Sequence, residues 1–153
     1  MSTTSAIPDG TERARALRVL VVADDACTSP SLCTSVRAYA GSGPVEALVV
    51  APVRGTPATQ WYVDEDAARA DATSRLRRCL GCLGDRGISV HGRLGDEDLV
   101  QAVADALEGF AADRILIVSA PQRPSTWLRR SAVERVRQAF SQPVDHVVLP
   151  PSA

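Results

Sequence analysis

Residues 112–151 read ADRILIVSAPQRPSTWLRRSAVERVRQAFSQPVDHVVLPP, and this stretch decides the fold. Ile115 to Val118 is a continuous apolar run with β-branched residues. Such a run suits a parallel strand covered on both faces better than a half-exposed one. It ends at Ser119, and the following residues contain Pro121 and Pro124, so a helix cannot begin before about Ser125. Ser125 or Thr126 can cap that helix, the side-chain oxygen accepting from an otherwise unbonded backbone N–H. Beyond the cap, Leu128, Ala132, Val133, Val136, Ala139 and Phe140 fall on one helical face, with Arg129, Arg130, Arg135 and Arg137 largely off it. Pro143 stops the helix, and the residues from Val144 to Leu149 supply another strand.

A loop that leaves the carboxyl end of a parallel strand and feeds a helix is a natural anion site. The first-turn N–H groups and the helix dipole both favour negative charge there. Ser119, Ser125, Thr126, Arg129, Arg130 and Ser131 add candidate side-chain donors. In the plainer alternative the hydroxyls only cap the helix and the arginines only solvate it.

Working outward, the same alternation of strand and helix fills the rest of the chain. Residues 1–16 are small and polar and read as a mobile tail; residues 17–151 read as one α/β domain. Arg18 to Ala23 is a first buried strand, followed by Asp24 and Asp25. Ser29 and Pro30 have N-cap and first-turn chemistry. Leu32, Cys33, Val36 and Ala40 form the inner face of that helix, and Val45 to Ala51 is the second strand. The next helix starts near Asp64-Glu65-Asp66, carries Ala68, Ala72, Leu76, Leu80 and Leu83 as an apolar stripe, and is closed by Gly84 and Gly87. Ile88 to Leu94 is a more polar strand, expected at an edge. Gly95-Asp96-Glu97-Asp98 opens a helix with Leu99, Val100, Val103, Ala106, Leu107 and Phe110 inward.

Five strands alternating with four helices predict a doubly wound parallel sheet with right-handed crossovers. Ligands in such sheets bind beyond the carboxyl ends of the strands, where the strand order reverses. For the order 3-2-1-4-5 the reversal lies between strands one and four. The expected pocket then joins Asp24 and Asp25 to the loop of residues 119–131.

The composition is that of an ordinary globular domain, 45% hydrophobic and 23% charged over 153 residues. A net charge of −1 provides no whole-protein field for nucleic acid or an acidic membrane. No apolar run reaches the length of a membrane span and no signal-peptide core is visible, so a cytoplasmic location is the expectation. Cys79 and Cys82 have C-x2-C spacing, and Cys27 and Cys33 complete the cysteines. The pair sits late in an apolar helical stripe, where buried cysteines are commonly structural, so no metal site is assigned. His91 and His146 lie within strands and read as structural. Asp24 and Asp25 have the chemistry of a general base or magnesium ligand, and equally that of a strand-end cap. Trp61 and Trp127 either cover the pocket or pack.

Four segments, RVLVVADD, Gly95-Asp96, ADRILIVS and WLRRSAVERVRQAFSQPVDHVV, resemble the universal stress protein family over about residues 18–149. The resemblance implies the five-stranded 3-2-1-4-5 sheet and dimerisation through the last strand, here Val144 to Leu149. In the ATP-binding branch an aspartate follows strand one, which Asp24 matches, and a G-x2-G-x9-G-[ST] loop follows strand four. Only the closing Ser131 matches that loop; Arg130 stands at its last glycine, and SAPQRPST contains no glycine. Glycines there let backbone N–H groups approach phosphates closely. The chain is closer to an actinobacterial-type branch without the ATP loop. The leading expectation is a non-catalytic, dimeric regulator of the stress response with a degenerate nucleotide pocket, requiring no ATP or other cofactor. A nucleotide or small-anion binder using the loop before the fourth helix is the alternative. A nucleotide hydrolase is the weakest reading, because the sequence shows no base–nucleophile pair.

Overall fold

The computed structural model describes residues 16–23, 30–40, 43–53, 65–119 and 126–148. Its elements follow in the order β1 (Leu17–Ala23), α1 (Pro30–Ala40), β2 (Val45–Pro52), α2 (Glu65–Gly84), β3 (Ser89–Gly95), α3 (Leu99–Gly109), β4 (Arg114–Ser119), α4 (Thr126–Ala139) and β5 (Val144–Val148). The strands form one parallel sheet in the order β3-β2-β1-β4-β5. This is the doubly wound arrangement expected from the alternating pattern.

The continuous apolar strands are explained by the two layers they touch. On β1, Val19, Val21 and Ala23 enter a core with Cys33 and Val36 of α1 and Ala72, Leu76, Cys79 and Leu83 of α2. Leu20 and Val22 enter the opposite core with Leu99, Val103 and Ala106 of α3 and Ala132, Val133 and Val136 of α4. On β4, Leu116 and Val118 divide from Ile115 and Ile117 in the same way. Each large side chain removed from water contributes roughly 1.5–3 kcal/mol. A one-residue slip would exchange the two cores, so register matters. Asp113 holds it at the amino end: its N–H donates to the Arg18 carbonyl at 2.7 Å, and its Oδ2 accepts from the Arg18 N–H at 2.9 Å.

The end of α2 is a Schellman cap. Ile88 N–H donates to the Leu83 carbonyl at 3.3 Å and Gly87 N–H to that of Gly84 at 3.0 Å. Gly87 takes φ 77°, where a side chain is strained. The cap uses Ile88, so β3 starts one residue later than its apolar pattern suggests. Gly95 ends β3 against the side chains of Val50 and Ala102, in a space that a Cβ would fill. Helix α3 starts at Leu99 because Asp96 Oδ1 accepts from the Asp98 N–H at 2.9 Å and holds the preceding residues in a turn. Ala139, expected inward, is exposed: the inner face of α4 ends with Val136 and half-buried Phe140. As its polar pattern predicts, β3 is an edge strand; β5 forms the opposite edge. Among the described residues no helix is long and apolar enough to cross a membrane. Residues 1–15, Trp61 and 149–153 lie outside the described residues, as does the side chain of Trp127.

Candidate functional site

The reversal of strand order falls between β1 and β4, whose carboxyl ends are Ala23 and Ser119. Ser119 is buried, at 4% exposure. Its hydroxyl is hydrogen-bonded to Nε2 of half-buried His146 on β5. Ser119 lies two residues beyond Ile117, and His146 two beyond Val144, both members of the α3–α4 core. Strand alternation therefore turns the two side chains to that face. Whether Ser119 donates or the imidazole does depends on the histidine tautomer. In either case the buried hydroxyl is satisfied.

Across the β1–β4 boundary, Arg75 of α2 reaches the same edge of the sheet from the other layer. It is only 8% exposed. Nη1 donates to the Ala23 carbonyl at 3.0 Å and Nη2 to the Pro52 carbonyl at 2.8 Å. Nε donates to Asp71 Oδ2 at 3.3 Å. The planar fork thus bonds the last carbonyls of β1 and β2, while the adjacent carboxylate balances its charge. Ala23 immediately precedes Asp24 in the chain, so a fixed cation lies at the point where the candidate aspartates begin.

The structure places Ser119 at the expected edge, while Ser131 is exposed on α4. Thr126, Arg129 and Arg130 belong to the opening turns of α4, but their side chains lie outside the described residues, as do Asp24, Asp25 and Ser125 entirely. Two residues at this edge were missed by the sequence reading. Arg75 stands within the apolar stripe between Ala72 and Cys79, and a charge in such a stripe is a legible signal. His146 becomes a partner of Ser119 only once the β4–β5 register, which pairs Ile117 with His146 and Ser119 with Val148, is known.

The C-x2-C spacing is not a unit. Cys82 is disulfide-bonded to Cys33, 49 residues away on α1, with a Cα–Cα distance of 6.8 Å. Cys79 is buried outside the bridge, and Cys27 lies outside the described residues. Among the described residues no group of three or more His, Cys, Asp or Glu could hold a metal ion.

No family model matches the sequence, and no curated relative matches it. Solved structures do. A universal stress protein family member from Burkholderia pseudomallei superposes with a TM-score of 0.58 at 19% identity, over 86% of this chain and 96% of that one. The chain has the universal stress protein fold. A universal stress protein from Archaeoglobus fulgidus agrees, with a TM-score of 0.56 at 17% identity over 87% of this chain and 98% of that one. Within this universal stress protein fold, Arg75 and the Ser119–His146 pair occupy the carboxyl edge from opposite layers. Arg75 comes from the α1–α2 side and the pair faces the α3–α4 side.

Proposed function

We propose that the chain is a non-catalytic regulatory protein of the universal stress protein type, working as a homodimer and carrying a degenerate nucleotide pocket. The observation that carries the reading is the carboxyl edge itself. Its described polar groups are engaged in holding the sheet: Arg75 bonds two strand-end carbonyls, and the Ser119 hydroxyl is buried against His146. The bond to His146 is the kind that activates a serine, but the hydroxyl is buried at 4% exposure, and nucleophilic chemistry needs an approachable oxygen. The loop that follows contains prolines and no glycine, which supports weak rather than tight phosphate binding. β5 is an edge strand, and an edge with Val147 half-buried in it supports pairing with a second copy.

A second reading is favoured by the start of α4 at Thr126, directly after the loop. A helix beginning there supports small-anion binding by its first turns, with Arg129, Arg130 and Ser131 substituting for glycine amides. Titration separates the two. Calorimetry with MgATP is expected to show no tight binding, and a micromolar or better dissociation constant overturns the first reading. Phosphate titration followed by amide shifts tests the second. Shifts confined to residues 119–131 and lost in Arg130→Ala support it, and unmoved amides at saturating phosphate sink it.

A further inference from the structure

The α1–α2 layer contains a cavity of about 390 Å³, within the roughly 300–1,000 Å³ range of small-molecule sites. Thr34, Arg37 and Ala38 line it from α1 and Arg86 from the turn after α2, while fully buried Cys33 forms its innermost wall. Thr34, Ala38 and Arg86 are exposed and Arg37 is half-buried, so a solute reaches these four side chains directly. The three from α1 share one side of the helix, because residues three and four apart are neighbours there. Nη2 of Arg37 donates to the Gly43 carbonyl, just before β2 begins. That carbonyl is neutral, so the bond fixes the guanidinium without cancelling its charge. Arg86 forms no ion pair among the described residues. The described lining therefore has two guanidiniums and no carboxylate. Two like charges brought to one cavity favour an anion there.

We propose that this cavity binds a small organic carboxylate with an apolar body. The acid group meets Arg37 and Arg86, and the Arg86 fork gives it two parallel N–H donors. The carbon chain lies along Ala38 and the methyl group of Thr34. A bare phosphate would leave most of the volume to water and gain nothing from those carbons, so an organic anion fits better. The site is separate from the carboxyl edge. Gly43 precedes β2 and Arg86 precedes β3, so the two charges lie toward the amino ends of the strands. Arg75, by contrast, bonds the last carbonyls of β1 and β2. An occupant would link α1 to the turn after α2, the same two neighbours that the Cys33–Cys82 bridge joins.

The full chain is titrated with sodium octanoate at constant ionic strength and followed by amide chemical shifts. Saturable shifts are expected at residues 33–38 and 84–88, with the amides of Ala23 and Ser119 unmoved. Octanol, of equal chain length but neutral, should bind at least about threefold more weakly, as expected for loss of the charge pairing. Arg86 is exposed on a turn, so Arg86→Glu spares the core, which unchanged far-ultraviolet dichroism checks. That variant should weaken octanoate about three- to tenfold, through loss and reversal of one rim charge, and leave octanol unchanged. No saturable shift below the concentration at which octanoate self-associates overturns the site. So do shifts scattered away from the cavity. Equal affinity for octanoate and octanol, or an unchanged octanoate affinity in Arg86→Glu, overturns the anionic head group. Phosphate moving the same amides at equal concentration overturns the apolar body.

Discussion

The hydroxyl of Ser119 and the imidazole of His146 are hydrogen-bonded across two neighbouring parallel strands, at the sheet edge where a nucleotide pocket is expected. The pair is 27 residues apart in sequence, and Ser119 is almost fully buried. Ser119→Ala removes both the hydrogen bond and its donor–acceptor group, so a loss of about 1 kcal/mol is expected. His146→Phe leaves the buried hydroxyl without its partner and should cost more, roughly 1–3 kcal/mol. Urea unfolding of the two variants checks the ranking. If Ser119→Ala proves the worse of the two, the hydroxyl has a role beyond this bond.

Among the described residues, Arg75 is expected to be the most sensitive charged position. Arg75→Met keeps the aliphatic stem but strands the carbonyls of Ala23 and Pro52. The expected loss is roughly 2–4 kcal/mol, combining charge-assisted hydrogen bonds with buried unsatisfied acceptors. Arg75→Lys should recover only part of it, because an ammonium lacks the planar fork that reaches both carbonyls. Chemical denaturation gives the two values. A lysine variant as stable as the parent contradicts the fork geometry.

Gly87 closes α2 at φ 77° with nothing within 4 Å of a would-be Cβ. The cost of Gly87→Ala is therefore conformational rather than steric, about 1–2 kcal/mol. Gly81 also has open space around it but lies inside the helix at negative φ. There the same change to Ala should stabilise by about 0.4–1 kcal/mol. Thermal melts of the two variants should move in opposite directions. Parallel shifts would show that the Schellman cap is not retained in solution.

Edge strand β5 is expected to pair with a second copy. Light scattering at high micromolar concentration should report a dimer, and Val147→Arg should shift the distribution toward monomer. The charge would disturb the half-buried position of Val147 at that edge. A monomer in the parent protein at that concentration counts decisively against the assembly.

The order of strands and helices was readable in the sequence because its signals are local. Apolar runs without alternation at Val19–Val22 and Ile115–Val118 mark strands covered on both faces, and Gly87 and Pro143 mark stops within a few residues of where they act. The sheet order did not come from those signals; it came from the resemblance to a known family, and the structure has the same order. Other relationships were decided by tertiary structure alone. Arg75 meets Ala23 across 52 residues, Cys33 meets Cys82 across 49, and Ser119 meets His146 across 27. No periodicity along the chain encodes such pairs. They exist because crossover helices pack on a sheet of given order and register, which brings side chains together irrespective of their distance in sequence. The local pattern determined the elements; packing decided that a cation and a serine–histidine pair hold the carboxyl edge.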